Sequence, residues 1–375
     1  MRQRFTSVEH VIEALAPSYP VYCLRPAVLE ETVREFRALF PGTVLYAVKC
    51  NPHPRVLDAL HGAGITHFDT ASLPEIALIA ERYRDAACYF MHPVKSRAAI
   101  QAAYGIYGVR HYVVDHADEL RKVLDETGGR DLTIVVRLAT PPDPATVYDL
   151  SSKFGCGPDE AVTLLRAVAA AGCRGGIAFH VGSQCGAPAS YTQALALVGE
   201  VIARVGSAPA LIDVGGGFPA NYVGADLPPL AAYMAAIRAG LAALALPMDT
   251  VVLAEPGRAL VANACSLLVQ VQLRKDGRLY LNDGVFGSLS EMALSSLRMP
   301  VRLLRHAGEP AAATLPFKLY GPTCDGLDVL PGTFALPADA REGDWLEIGQ
   351  LGAYSNALAT RFNGFFPETF VTLAS

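Results

Sequence analysis

Eight short runs rich in β-branched and aromatic residues alternate, from about residue 44 to residue 257, with segments of helical apolar spacing. The runs read VLYAVK, THFDTA, ACYFM, HYVVD, TIVVRLA, GIAFHVG, LIDVGGG and VVLAEPG. Strands that are apolar on both faces and alternate with helices are typical of a parallel sheet. Eight such units predict an α/β fold, a (β/α)₈ barrel that closes near Glu255. An open doubly wound sheet is the alternative that this pattern leaves.

One intervening segment carries a helix start signal. Ser72 is followed three residues later by Glu75, just before the apolar run IALIAERYR. This spacing is that of a capping box, in which the serine hydroxyl and the glutamate satisfy backbone N–H groups at the helix start. It predicts that a helix begins immediately after Ser72.

The pattern changes after Val261. The run SLLVQVQL alternates, RKDG is typical of a turn, and RLYLNDG returns; ATLPFKLYG and DWLEIGQLGAY are further strand-like runs without helices between them. These features predict a second, antiparallel β domain, sandwich-like or barrel-like, to which the N-terminal run YPVYCL adds a strand. We therefore expect a barrel over residues 26–264 and a β domain formed by residues 1–25 and 265–375, the latter carrying Cys324, Asp325 and Tyr354.

Composition excludes several classes of protein. The chain has 375 residues, a formal net charge of −5 and no basic block, which argues against a nucleic-acid partner. Its eight cysteines are scattered without a C-x-x-C pair, and the N-terminus lacks the apolar core of a signal peptide, which favours a reducing cytoplasm. Glycine or Arg238 interrupts the longest apolar runs before they reach membrane-spanning length. No membrane or metal partner is expected.

Ionisable residues and glycines stand at the ends of the predicted barrel strands. Each has an ordinary explanation alone: Lys49 would be solvated, and Asp69 would cap a helix. Together they indicate a site, because the carboxyl ends of barrel strands converge on one face. The strand-end residues are Lys49, Asp69, Arg137, His180, Gly215, Gly216, Gly217 and Glu255.

The residue types suggest a particular chemistry. Lys49 is one of only six lysines and follows five apolar or aromatic residues; in a partly desolvated pocket its pKa would fall, and it could form a Schiff base with a carbonyl substrate or an aldehyde cofactor. The triple glycine of DVGGGFP lets backbone N–H groups approach a phosphate, although such a turn alone is weak support. EPGR places Glu255 and Arg258 three residues apart, either as a surface ion pair or as partners of a ring nitrogen and a phosphate. Pyridoxal 5′-phosphate requires these three features.

Motifs from about Tyr22 to Phe365 carry a family resemblance. YAVKCN, FHVGS, IDVGGGFP, AEPGR, YGPTCDGLD and GAY followed by FNGF occur in this order. The sequence resembles the fold-type III pyridoxal-phosphate decarboxylases, nearest to the ornithine decarboxylase branch with its lysine, arginine and diaminopimelate relatives. The resemblance implies a barrel with a C-terminal β domain, the cofactor pyridoxal phosphate and a carboxy-lyase activity.

The resemblance also implies residue roles. Lys49 would hold the cofactor, His180 would stack on its ring and Glu255 would keep the ring nitrogen protonated. Cys324 would protonate the α-carbon, and Asp325 would bind the distal amine, both donated across a homodimer interface so that sites are shared. The remaining cofactor contacts would be Asp69, Arg137, Ser183, Gly215, Gly216, Gly217, Pro256, Gly257, Arg258 and Tyr354, the last also bordering the substrate.

One segment departs from the ornithine decarboxylase pattern. LSEMALSSL has Leu294 and Ser295 where that branch has an aromatic-aspartate pair that grips the distal amine. Glu291 either supplies the missing charge or faces solvent. The expected substrate is therefore L-ornithine or lysine, giving putrescine or cadaverine for polyamine biosynthesis, or else a different or modified diamino acid. The diaminopimelate decarboxylases carry CES where this chain has CDG, and the resemblance therefore disfavours a substrate with a distal carboxylate.

Three rivals use a related scaffold. A barrel aldolase would use the lysine without a cofactor and would need neither Glu255 nor a β domain with a cysteine. A non-catalytic relative that regulates polyamine metabolism by binding a partner protein would typically lose cofactor contacts. A racemase is disfavoured because the C-terminal motifs match the decarboxylases.

Overall fold

The computed structural model of the protein describes residues 4–141, 144, 146–148 and 150–374. The chain begins with β1 (Arg4–Phe5), α1 (Val8–Leu15), β2 (Val21–Leu24) and α2 (Pro26–Leu39). Strands β3 to β10 then form a closed parallel barrel in sequence order, with β10 pairing back onto β3. This closure confirms the predicted (β/α)₈ barrel and excludes the open doubly wound sheet.

The barrel strands and the helices between them match the predicted alternation. The strands are β3 (Thr43–Ala47), β4 (His67–Thr70), β5 (Ala87–Phe90), β6 (His111–Val114), β7 (Thr133–Leu138), β8 (Arg174–Phe179), β9 (Leu211–Asp213) and β10 (Val251–Ala254). The helices are α3 (Pro54–Gly62), α4 (Leu73–Arg82), α5 (Arg97–Gly105), α6 (Ala117–Thr127), α7 (Pro158–Ala170), α8 (Ala189–Val205), α9 (Leu230–Ala243) and the short α10 (Arg258–Val261).

Burial on both faces explains why the strand sequences are apolar throughout. Leu45 of β3 lies inside the barrel with Val113, Val135 and Leu253. Its neighbour Tyr46 belongs to the outer layer that packs against the helices. Successive side chains of a strand point to opposite faces, so both layers require apolar residues.

Helix α4 begins where the sequence predicts. The Ser72 hydroxyl accepts a hydrogen bond from the Glu75 N–H at 3.4 Å, as in a capping box. The Glu75 carboxylate accepts the N–H of Ala71 at 2.7 Å, one residue before the N-cap. The second half of the motif is thus displaced by one residue, and two N–H groups at the helix start are still satisfied.

The remaining strands form a separate, mostly antiparallel sheet, as predicted. They are β11 (Cys265–Lys275), β12 (Arg278–Leu281), β13 (Val301–Leu304), β14 (Thr314–Tyr320), β15 (Phe334–Pro337), β16 (Trp345–Ile348) and β17 (Thr369–Leu373), with helix α11 (Ser290–Leu294) after β12. The N-terminal β2 joins this sheet, antiparallel to β11 and parallel to β17. The pairs β1–β17 and β12–β14 are also parallel. The division at residues 26–264 stays a prediction.

Three further properties bear on the class of protein. Within the described ranges no helix is both long enough and apolar enough to cross a membrane. All eight cysteines are free thiols, seven of them buried or partly buried and one, Cys324, exposed. No group of three histidine, cysteine or acidic side chains among the described residues could hold a metal ion.

Candidate active site

A cavity of about 370 Å³ opens beside the carboxyl ends of the barrel strands. It contains Lys49, which leaves β3 in a short 3₁₀ turn (Val48–Cys50). The cavity is lined by Lys49, Tyr148, Leu150, His180, Ser183, Arg258, Glu291, Leu294, Tyr354 and Leu358. Five of the residues predicted from strand ends and motifs therefore meet here with Glu291: Lys49, His180, Ser183, Arg258 and Tyr354.

Lys49 lies beside an aspartate from the neighbouring strand. Its Nζ is 3.3 Å from Asp69 Oδ2, and its side chain is 42% exposed whereas that of Asp69 is 3% exposed. The Asp69 charge raises the pKa of Lys49 above its ordinary value, more than burial lowers it. The expectation of a lowered lysine pKa is wrong for the protein without a cofactor, because desolvation is outweighed by this ion pair.

His180 is buried and neutral. Burial, with the charges of Arg137 and Lys49, lowers the pKa of His180 well below its ordinary value. Its Nδ1 accepts the N–H of Gly182 at 3.0 Å, so the ring proton of the neutral form belongs on Nε2. Arg137 is also held in place by an aromatic ring, since its guanidinium carbon lies 5.5 Å from the ring centre of Phe154.

The triple glycine packs against the histidine segment too closely for side chains. A Cβ on Gly216 would lie 2.9 Å from His180 Nε2 and 2.7 Å from the Glu255 carbonyl oxygen. Gly215 and Gly217 have φ of +68° and +97°, where other residues are strained. The absence of side chains therefore lets this turn pack directly against the His180 segment.

The turn that follows β10 is equally tight. A Cβ on Gly257 would meet the Cys50 Cβ at 2.9 Å, and the Pro256 carbonyl accepts the Ala47 N–H at 3.2 Å. Tyr354 reaches the same region with φ of +52°, and its N–H donates to the Cys50 carbonyl at 2.9 Å. A non-glycine residue held in this conformation costs on the order of 1–3 kcal/mol, which the surrounding contacts offset.

Sequence reasoning missed a carboxyl pair beneath the site. Asp213, the residue before the triple glycine, is fully buried; its Oδ1 accepts the Gly215 N–H at 2.8 Å. Its Oδ2 is buried and accepts no hydrogen bond from the described residues. Glu255 follows the neighbouring strand β10, and the two acidic groups influence each other's pKa. The aspartate of the DVGGG motif was the available signal.

Both members of the carboxyl pair hold protons more tightly than usual. Burial raises the pKa of Asp213 to about 7. Burial, together with the charges of Asp213 and Asp69, raises the pKa of Glu255 well above its ordinary value. A carboxyl group with a raised pKa can share a proton with a basic ring nitrogen, and this role of Glu255 stays a prediction.

The Asp213 proton predicts a pH effect on stability. Between about pH 4 and pH 7 folded Asp213 keeps a proton that the unfolded chain releases, so its contribution is complete below pH 4 and is lost as the pH rises to about 7. In cofactor-free protein, the free energy of unfolding should therefore fall by about 1–3 kcal/mol more for wild type than for Asp213→Asn over this range. Urea unfolding at several pH values measures this, and parallel curves for the two proteins would contradict the prediction.

Arg258 and Glu291 form a buried ion pair on the cavity wall. Arg258 Nη1 donates to Glu291 Oε2 at 2.9 Å, and Nη2 donates to Oε1 at 2.5 Å. Both side chains are 3% exposed. The alternative that Glu291 faces solvent is wrong. Glu291 also offers no free charge to a ligand, because both of its carboxylate oxygens accept hydrogen bonds from Arg258.

Cys324 and Asp325 lie outside this cavity. The exposed Cys324 Sγ is 3.0 Å from Asn363 Oδ1, and Asp325 Oδ1 accepts the Leu327 N–H at 2.8 Å. Asp325 instead borders a groove of about 690 Å³ on the β domain, which also contains the aromatic residues Tyr19, Tyr280, Tyr320, Phe365 and Phe366. A single chain therefore does not bring the two predicted residues to Lys49.

Apart from Glu291, which is paired with Arg258, the segment that departs from the ornithine decarboxylase pattern offers no charge to the cavity. Leu294 is 72% exposed at its edge. The Ser295 hydroxyl donates to the Glu291 carbonyl at 2.7 Å and accepts the Leu297 N–H at 3.2 Å, so it ends helix α11. A distal ammonium group would need its counter-charge from elsewhere.

Comparison with known proteins decides the family. Residues 27–262 match the pyridoxal-binding domain of the pyridoxal-dependent decarboxylases. The chain belongs to this family. It is 33% identical to a lysine/ornithine decarboxylase of Selenomonas ruminantium, over 97% of this chain and 92% of that protein. The family members named lysine, ornithine or arginine decarboxylase place this chain among the decarboxylases of basic amino acids.

Solved decarboxylase structures share the whole fold. The Vibrio vulnificus lysine/ornithine decarboxylase in complex with putrescine has a TM-score of 0.84 at 32% identity, covering 98% of this chain and 97% of that one. The arginine decarboxylase of Paramecium bursaria Chlorella virus has a TM-score of 0.87 at 28% identity, covering 98% and 99%. The chain is thus a pyridoxal-phosphate-dependent decarboxylase rather than a cofactor-free aldolase.

The residues around the cavity fit pyridoxal phosphate. The buried Nε–H of Arg258 has no acceptor among the described residues, as expected of a group that awaits an anion. The neutral His180 and the partly exposed side chain of Lys49 both line the cavity. Glu255, whose pKa burial raises well above its ordinary value, suits a partner of a ring nitrogen.

Proposed function

We propose that this decarboxylase acts on L-ornithine or L-lysine and releases putrescine or cadaverine for polyamine biosynthesis. The observation that carries the proposal is the cavity in which Lys49, His180 and Arg258 meet at the barrel mouth. The names of the relatives, which include lysine and ornithine decarboxylases, support this choice of substrate. Eight free cysteines support a reducing, cytoplasmic location.

The proposed roles of the chain's residues follow from their positions. When bound, pyridoxal phosphate supplies an electron-accepting ring, which stabilises the charge left as carbon dioxide departs. Lys49 would hold the cofactor covalently through Nζ, with the aldehyde oxygen released as water, and Asp69, 3.3 Å away, would take the proton that the ammonium group must lose. His180 would lie against the ring face, and Glu255 would share its carboxyl proton with the ring nitrogen.

The phosphate would be held mainly by backbone and hydroxyl groups. The N–H groups of Gly216 and Gly217, the Ser183 hydroxyl and the Arg258 Nε–H are the proposed donors, since the Gly215 N–H already donates to Asp213. Gly215, Tyr354 and the Pro256–Gly257 turn would close the site. Asp69 would orient Lys49, and Arg137 would lie near the ring.

We propose that the active unit is a homodimer with two shared sites. Cys324 and Asp325 lie on the β-domain surface, away from the cavity of their own chain. A second copy would bring its Asp325 to the distal ammonium group of the substrate and its Cys324 Sγ–H to the α-carbon. A C2 dimer supplies both sites at once, because each chain gives the same surface to the other.

A different or modified diamino acid is a second candidate substrate. The observation that favours it is the apolar cavity edge at Leu294, with Ser295 engaged in the helix end and Glu291 paired to Arg258. Only Asp325 would then remain to balance the distal ammonium group. With only one carboxylate, such a pocket would suit an amine of altered position or basicity better than the distal amine of ornithine or lysine.

A substrate panel distinguishes these candidates. Purified protein with pyridoxal phosphate is incubated with ornithine, lysine, arginine, 2,4-diaminobutyrate, diaminopimelate and their D forms, and amines are identified by mass spectrometry. We expect kcat/KM for L-ornithine or L-lysine to exceed that of the other compounds by at least about 10-fold, the discrimination that one misplaced methylene produces. Absence of amine from both would contradict the proposed substrates and leave the second candidate.

A further inference from the structure

The Arg258–Glu291 pair uses most of the hydrogen-bonding capacity of the arginine. A guanidinium has five N–H groups. Nη1 donates to the Tyr222 hydroxyl at 2.8 Å as well as to Glu291, and Nη2 donates to the Ser183 hydroxyl at 3.3 Å as well as to Glu291. In the described part of the chain, Nε–H alone remains without an acceptor. Nε–H is therefore the group of Arg258 that an anion could engage without displacing Glu291.

Glu291 also cancels the charge of Arg258. The two side chains are 3% exposed and joined by two hydrogen bonds, so little water screens the carboxylate from a ligand beside the arginine. A phosphate ester near neutral pH carries between one and two negative charges, which this carboxylate repels. Neutral donors, such as backbone N–H groups, must then provide more of the attraction.

We propose that Glu291 is a positioning residue that neutralises Arg258 and weakens the hold of the site on the cofactor's phosphate. Glu291 fixes the guanidinium with its Nε–H edge free and, through its own charge, lets the cofactor exchange. This inference rests on the proposed function, because it takes Arg258 as the phosphate-binding arginine.

The test measures cofactor affinity without catalysis. In a Lys49→Ala background, which removes the covalent bond, dissociation constants for pyridoxal phosphate and for pyridoxal are measured by equilibrium dialysis. Glu291→Gln should bind pyridoxal phosphate about 10-fold more tightly, because the repelling charge is gone. Its affinity for pyridoxal, which lacks the phosphate, should stay unchanged.

Two control variants separate charge from structure. Glu291→Asp keeps the carboxylate and should not bind pyridoxal phosphate more tightly. Glu347→Gln changes another buried carboxylate, paired with Arg25 and Arg302 in the β domain, and should alter neither affinity. Thermal unfolding checks that each variant is folded. If Glu291→Gln is not folded, Glu291→Ala takes its place, with Tyr222 and Ser183 still available to Arg258.

The outcomes are distinct. The inference would be overturned if Glu291→Gln bound pyridoxal phosphate no more tightly than the protein with Glu291. It would also be overturned if Glu291→Gln bound pyridoxal more tightly to the same extent, or if Glu291→Asp tightened binding of pyridoxal phosphate equally. Arg258→Met tests the assignment beneath it and should weaken binding of pyridoxal phosphate but not of pyridoxal. If Arg258→Met has no effect, the phosphate assignment itself fails; if it weakens binding while Glu291→Gln does not tighten it, only the inference about Glu291 fails.

Discussion

Lys49→Ala is expected to lower decarboxylation by at least about 1,000-fold and to abolish the visible absorbance of lysine-bound pyridoxal phosphate. Lys49 is the only lysine among the residues that line the described cavity, and its Nζ is accessible there. Because no other described lysine borders the site, the cofactor could be held only by noncovalent contacts in the variant. Absorbance spectra and initial rates of carbon dioxide release measure the two effects.

The control for this variant is Lys275→Ala. Lys275 is an exposed residue at the end of β11, in the hairpin with β12, and does not line the cavity. Its variant should keep both the spectrum and the rate of the wild type. An unchanged cofactor spectrum in Lys49→Ala would refute the assignment of Lys49.

Mixing two inactive variants should restore activity if sites are shared. Asp325→Ala is expected to lower activity about 100-fold, because the distal ammonium group loses its counter-charge. Random exchange of Lys49→Ala chains with Asp325→Ala chains makes about half of the dimers mixed, and each mixed dimer has one intact site of two. Half of one half predicts recovery to about a quarter of wild-type specific activity.

A matched mixture provides the control. Lys49→Ala and Arg258→Met both change the cavity of their own chain, so their mixed dimer contains no intact site and should show no recovery. Mass spectrometry of intact dimers verifies that chains have exchanged. Equal recovery in both mixtures, or none in the first despite verified exchange, would contradict shared sites.

The sequence by itself determined the barrel and most of its mouth. Strands β3 to β10 are buried on both faces, so their apolar composition identifies them in the sequence. In a closed parallel barrel the carboxyl ends of the strands meet on one face, whatever the details of the loops. Lys49 and His180 were therefore placed correctly from their positions in the chain. The glycines were also informative, because other residues rarely tolerate such close packing and positive φ.

Only the tertiary structure decided which charges face each other. Glu291 follows Arg258 by 33 residues, and their pairing depends on how α10 and α11 approach across the two sheets. Asp213 meets Glu255 because β9 and β10 are neighbours, and Asp69 meets Lys49 for the same reason on β4 and β3. A pKa depends on burial and on such distances, neither of which residue types or their order specify. The sequence therefore identified most groups of this site, although not Asp213, and the fold determined which of them interact.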